Sequence, residues 1–251
     1  MELTGNTILI TGGGTGIGQA LAVKLAQLDN TVVICGRRQS KLNETLELEP
    51  RIKAYCCDVT DPLEIDRLSR QLRVDEYKIN VLINNAAVLN YHNFSRPEEF
   101  QPGAAAMEIS CNLTGPISLT MALLPQLLEQ PKPGIINIGS PGGIVAISPS
   151  PLYSASKAGL HVFTQVLRLH LKNKARVVEV FPPTVATEMT TDLPRKKVSS
   201  EQCAKDILAG LAKGSDEVWV GEGKVVRLLM NLLPPGWVFR LVNSQPSMQV
   251  R

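Results

Sequence analysis

Tyr153-Ser-Ala-Ser-Lys157 sets a phenol and an ammonium four residues apart in a stretch whose apolar residues recur at helical intervals. At that spacing the two side chains share one face of a helix, one turn apart. A cation beside a phenol favours the phenolate and lowers the tyrosine pKa from about 10 toward the working pH, which makes Tyr153 a candidate proton donor. An amphipathic surface helix carries the same spacing without any chemistry, so the pair takes its meaning from its company. Ser140 stands two residues beyond the apolar run 134–138, where its hydroxyl can reach a substrate oxygen at a strand end. Asn112 interrupts an otherwise apolar helical stretch. A polar group there is costly if buried without partners, so it serves either a local structural role or the chemistry.

A second set of residues suits a dinucleotide. Thr11-Gly-Gly-Gly-Thr-Gly-Ile-Gly18 follows a β-rich run and opens a helical one. Gly12, Gly16 and Gly18 fit a tight bend, close approach of backbone to a pyrophosphate, and packing of helix on strand. With Thr15 and Ile17 they form a helix start whose free N–H groups attract that pyrophosphate. The second strand closes in Cys35-Gly36-Arg37-Arg38, with no acidic residue to hold ribose hydroxyls. A guanidinium instead pairs with a 2′-phosphate, so NADP(H) is expected in preference to NAD(H), Arg37 being the main contact and Arg38 its neighbour. A solvated basic pair is the competing explanation. Cys57-Asp58-Val59 ends the third strand and Asn84-Asn85-Ala86-Ala87 the fourth. Asp58 can accept from an adenine amino group and Ala86 allows close backbone approach, although both segments also fit ordinary turns.

These residues need a scaffold. The chain has 251 residues, 44% hydrophobic and 20% charged, which suits one larger α/β domain. A net charge of +3 with scattered basic residues gives nucleic-acid binding no support. The five cysteines follow neither a zinc nor a disulfide spacing, and most lie in apolar runs that read as buried. No signal-peptide pattern opens the sequence and no apolar run spans a bilayer. The expected location is cytoplasmic, without a membrane span.

β-rich runs at 7–10, 31–35, 53–57, 81–84, 134–138, 176–181 and 217–220 alternate with helical patterns, the longest at 105–128 and 153–173. Such alternation predicts right-handed βαβ units. The expected fold is a single Rossmann-type domain over 1–251, with a doubly wound, seven-stranded parallel sheet and helices on both faces. The irregular stretch at about 183–200 reads as a mobile lid over a substrate pocket. The apolar C-terminal segment at about 223–243, broken by Pro234-Pro235-Gly236, reads as a cover for the pocket or for an interface.

With the glycine-rich turn, Asn84-Asn-Ala-Ala, Ser140 and Tyr153-x-x-x-Lys157 in this order, the chain resembles the short-chain dehydrogenase/reductase family over nearly its whole length. That resemblance implies that Tyr153 is the general acid/base, that Ser140 orients the carbonyl, and that Lys157 binds the ribose and lowers the tyrosine pKa. It implies that Asn112 anchors a proton-relay water and that Val185 and Thr187 meet the nicotinamide. The family's usual Pro-Gly after the sixth strand is Pro182-Pro183 here. Pro-Pro-x-Val-x-Thr187, Asn30-Thr-Val-Val-Ile-Cys-Gly-Arg37 and Trp237-Val-Phe-Arg-Leu-Val-Asn243 resemble the DltE-like oxidoreductase branch.

The resemblance implies hydride transfer between NADP(H) and a small-molecule carbonyl or secondary alcohol, by a homodimer or homotetramer paired through the two long helices. The alternative is an NADP(H)-binding regulatory or scaffold protein with little turnover. Such a protein is expected to lose one of Ser140, Tyr153, Lys157 and Asn112, and all four are present. His92 reads as a surface loop residue, and Arg195-Lys-Lys197 as a solvated run.

Overall fold

The structure, a computed structural model, describes residues 2–96, 98, 101–191 and 197–244. Seven strands form one sheet: β1 (Thr7–Thr11), β2 (Thr31–Gly36), β3 (Lys53–Cys56), β4 (Val81–Asn84), β5 (Gly134–Ile138), β6 (Arg176–Phe181) and β7 (Glu217–Trp219). They lie in the order β3-β2-β1-β4-β5-β6-β7, and every pairing is parallel. The order reverses between β1 and β4, which opens a crevice at the carboxyl ends of the strands.

The helices in chain order are α1 (Gly16–Ala26), α2 (Gln39–Leu48), α3 (Pro62–Val74), α4 (Ala104–Ile109), α5 (Gly115–Leu128), α6 (Pro151–His170), α7 (Ser200–Ala212), α8 (Gly223–Leu232) and α9 (Pro235–Asn243). Alternation along the strands builds two cores. Ile8 and Ile10 pack with Leu21 of α1, Leu42 of α2 and Ile207 of α7, whereas Leu9 between them packs with Leu72 of α3 and Leu123 of α5. Both faces of the sheet are therefore covered, as near-continuous apolar strands require. Truncating a fully buried member such as Leu82 to alanine costs about 2–5 kcal/mol.

The helix expected over 105–128 is in fact three pieces: α4, a π-helical segment at Ser110–Thr114, and α5. Pro116 has no N–H for the carbonyl four residues back, that of Asn112, so the α-helical ladder breaks there. The helix expected over 153–173 runs from Pro151 to His170 and is continuous. The stretch after β6 is tied to itself by a bridge between Val185 and Val198 and holds a 3₁₀ turn at Glu188–Thr190. The rest of the expected lid, 192–196 with Arg195 and Lys196, lies outside the described residues. Among the described residues no helix is long and apolar enough to cross a membrane.

Candidate active site

A cleft of about 830 Å³ opens at the carboxyl ends of the strands, where the order reverses. At one end the turn after β1 forms a cradle. Gly12 and Gly16 have φ of +65° and +57°, the left-handed region that favours glycine. A Cβ on Gly18 would stand 2.3 Å from the carbonyl oxygen of Gly12, so only glycine lets α1 pack on the turn. Thr15 precedes α1 without a side-chain cap bond, and the first turn carries no acid. Its amides and positive dipole end thus remain available to a pyrophosphate, and Thr15, Gly16 and Ile17 line the cleft there. Thr11 Oγ1 accepts from the amides of Asn85 and Ala86, both at 2.9 Å, and Asn85 Nδ2 donates to Thr11 O at 2.9 Å. Asn85 lines the cleft, but its side-chain amide braces the turn.

The part of the cleft at the ends of β2 and β3 is charged. Arg37 Nη1 lies 3.8 Å from Asp58 Oδ2, while Asp58 Oδ1 accepts from Thr60 N and Oγ1 at 2.9 and 2.8 Å. Arg38 Nη2 donates to Glu188 Oε2 at 2.8 Å, and Lys41 Nζ stands 3.7 Å from Glu188 Oε1. The Arg38 hydrogen bond holds the Glu188 carboxyl below its usual range. Lys41 and Glu188 are additions to the expected set. Lys41 was visible as a cation three residues past Arg38 on a helix start, whereas nothing local marks Glu188 as its partner. Val59 and Val185 are buried against the cleft. Thr187 Cγ2 lies over Gly16, 2.9 Å from where a Cβ would stand.

Ser140, Tyr153 and Lys157 share one wall. Ser140 Oγ accepts from Gly142 N at 3.0 Å, which fixes the hydroxyl at the turn after β5. Lys157, 2% exposed, donates to the carbonyl oxygen of Ile138 at 2.8 Å and lies 5.8 Å from the Tyr153 ring centroid. Burial drags the ammonium down to about 8, against the pull of Cys111 and Glu179.

The tyrosine corrects an expectation. Burial pushes the Tyr153 phenol above its ordinary value, and the opposing influence is a hydrogen bond with Ser140 rather than the charge of Lys157. Burial is the larger influence on the phenol, and the Lys157 ammonium donates to Ile138 O.

Asn112 does not line the cleft. It is fully buried and stands behind the wall. Its Oδ1 accepts from Val88 N at 2.8 Å, and its Nδ2 donates to Val88 O at 2.8 Å and to Ser156 Oγ at 3.1 Å. Every polar atom of the side chain is used in bracing the segment after β4 against α6, the structural role left open by the sequence. Cys111 beside it lines the cleft. His92 is no surface residue: its side chain is 10% exposed, with Nε2 3.5 Å from the buried Glu108. Of the cysteines, Cys56 alone is exposed.

The far end of the cleft is roofed by α8 and α9, which contribute Val226, Leu229, Leu241 and Val242. This agrees with a cover for the pocket. The proline break expected at 234–236 turns the segment into two helices.

Residues 6–198 match the model of the short chain dehydrogenase family. The chain is 34% identical over 227 residues to an uncharacterized oxidoreductase, DltE, of Bacillus subtilis, covering 87% of this chain and 89% of that one. An uncharacterized oxidoreductase of Staphylococcus aureus strain USA300 is 30% identical over 217 residues, covering 84% and 93%. Among solved structures, a short chain dehydrogenase from Burkholderia cenocepacia in complex with NADP superposes with a TM-score of 0.85 at 26% identity, covering 96% and 99% of the two chains. A short chain dehydrogenase/reductase from Burkholderia phymatum in complex with NAD has a TM-score of 0.81 at 20% identity, covering 92% and 95%, and speaks for the fold alone.

Proposed function

The chain belongs to the short chain dehydrogenase family, and from that premise we propose that it moves a hydride reversibly between NADP(H) and a carbonyl compound or secondary alcohol. The observation that carries this reading is the convergence of Ser140, Tyr153 and Lys157 on one wall of a cleft that ends in a glycine cradle. A bound nicotinamide coenzyme supplies or accepts the hydride. Ser140 donates to the substrate oxygen and orients it. Tyr153 gives that oxygen its proton in the reducing direction and takes it back in the other. Because burial raises the phenol, it is protonated at neutral pH, the form that reduction needs. Lys157 binds the ribose hydroxyls from the cleft floor. Positioned acid/base catalysis of this kind contributes about 10²- to 10⁴-fold in rate.

Preference for NADP(H) over NAD(H) is supported by three cations, Arg37, Arg38 and Lys41, around the adenosine end. Assembly as a homodimer or homotetramer is supported by an exposed apolar row on α5 and α6 that includes Met121, Val162 and Leu169, and light scattering at micromolar concentration tests it. The unpaired thiols accord with a cytoplasmic location. The test of the reaction is coenzyme consumption over a panel of ketones, aldehydes and quinones with NADPH and NADH. Turnover of at least one carbonyl supports the reading. Tight coenzyme binding with no turnover across the panel favours a regulatory protein.

A further inference from the structure

The two ends of the cleft differ in charge, and the difference bears on the substrate. Arg37, Arg38 and Lys41 stand at the adenosine end. Beyond Tyr153 the lining is mostly apolar: Val145 and Ile147 follow β5, Val226 and Leu229 come from α8, and Leu241 and Val242 from α9, with Asn90, Tyr91 and Ser150 as uncharged polar members. Among the described residues, two charged groups line this half. Lys157 donates to Ile138 O at 2.8 Å. Glu222 is exposed at the start of α8 and repels an anion. Lys157 is thus the one cation of this half and is assigned to the coenzyme ribose, whereas a carboxylate packed among the apolar side chains of α8 and α9 is strongly disfavoured.

One side chain ties the roof to the opposite wall. Asn243, at the end of α9, accepts from Ser148 N at 2.7 Å and donates to Ala146 O at 2.9 Å and to Phe239 O at 2.9 Å. It thereby joins α9 to the loop that carries Val145 and Ile147. Val238, fully buried, anchors the same helix. The apolar faces of roof and loop are thus held opposite each other, as walls of a built chamber.

We propose that this chamber binds an uncharged lipophilic carbonyl compound or its alcohol, with the polar end at Ser140 and Tyr153 and the hydrocarbon under α8 and α9, and that Asn243 is the positioning residue that keeps the roof in place. The assignment rests on the oxidoreductase reading and deepens it. Each methylene buried in such a chamber strengthens binding by about threefold to fourfold, until the chamber is filled.

The test is calorimetric binding to the full-length protein saturated with NADP⁺, using 2-alkanols of increasing chain length and hydroxy acids of matched length. The expected result is a dissociation constant that falls about threefold per methylene over the shorter members, with each hydroxy acid at least about thirtyfold weaker than its neutral match. Leu229→Gln flattens the chain-length series while leaving the dissociation constant of NADP⁺ unchanged, which also reports that the variant is folded. Asn243→Ala weakens the longer alcohols and spares the shortest. A series that is flat in the parent protein overturns the assignment, as does a hydroxy acid that matches its alcohol or a slope that Leu229→Gln leaves intact. Because the readout is binding, chain-length dependence without turnover leaves the chamber standing and fails the catalytic reading. Turnover with a flat series does the reverse.

Discussion

Lys157 Nζ donates to the carbonyl oxygen of Ile138 at 2.8 Å, pinning the helix that carries Tyr153 to the strand that leads into Ser140. The bond sets the distance between the two sides of the reacting centre, because Ser140 follows Ile138 by two residues and Tyr153 precedes Lys157 by one turn. It also holds the ammonium 5.8 Å from the phenol centroid, which makes Lys157 a structural tie as well as the proposed coenzyme ligand.

Burial brings the Lys157 ammonium to about 8, against an ordinary 10.5. The folded protein therefore loses this charge as pH rises through about 8, and coenzyme affinity is expected to fall over the same range. Between about 8 and 10.5 the unfolded chain binds the proton that the folded chain has released, so this group makes stability rise with pH there. Lys157→Met removes both effects. It is expected to stabilise the fold below pH 8 by on the order of 1–3 kcal/mol while weakening coenzyme binding, as checked by denaturant titration and fluorescence binding across pH.

His161, one turn beyond Lys157, places Nδ1 2.7 Å from Glu179 Oε2. The hydrogen bond to Glu179 raises the histidine pKa above its ordinary 6.5, with burial opposing. A raised folded-state value means that the pair's stabilisation is complete below 6.5 and is lost as pH rises through the folded value. Melting temperature measured against pH is expected to show a gap between the parent and His161→Gln that is widest in mild acid and closes on the alkaline side. Since Glu179 is 1% exposed, His161→Ala, which strands the carboxylate, costs about 1–3 kcal/mol.

Arg38 and Lys41 are held by Glu188, so a 2′-phosphate must compete with that carboxylate. Glu188→Gln is expected to tighten NADPH by up to about fivefold, the range of an exposed ion pair, and to leave NADH unchanged. Arg37→Asp is expected to weaken NADPH by about tenfold to a hundredfold. Direct binding of both coenzymes to each variant decides the matter, and an unchanged NADPH affinity in Arg37→Asp removes that residue from the site.

A methyl group at Gly18 would meet the backbone carbonyl oxygen of Gly12 at 2.3 Å and the side-chain Nδ2 of Asn85 at 2.4 Å. Gly18→Ala is expected to destabilise by about 1–3 kcal/mol and to weaken either coenzyme at least about tenfold. Gly236→Ala, with nothing within 4 Å, is the control and stays within about 0.5 kcal/mol of the parent.

What the sequence disclosed follows a pattern. The strands, the glycine cradle and the Tyr153–Lys157 face were legible because each is a local signal, a run or a spacing within a few residues. The features that escaped join distant residues. Glu188 meets Arg38 across 150 positions, Asn243 meets Ala146 across 97, and Glu179 meets His161 across 18 and a layer boundary. The π-helical break at Ser110–Thr114 had a local cause in Pro116, but apolar periodicity masked it. Asn112 was read from type alone, and its partners on Val88 became visible only once the segment after β4 had been placed against it. The direction of the tyrosine shift depended on how deeply the phenol is buried, which spacing along a helix does not determine.

Tyr153→Phe tests the proton-transfer role of the phenol. With NADPH and a carbonyl that the parent protein reduces, the variant is expected to bind the coenzyme with unchanged affinity and to reduce the carbonyl about 10²- to 10⁴-fold more slowly. A folded Tyr153→Phe protein that binds NADPH and turns over the same carbonyl at the parent rate contradicts the account.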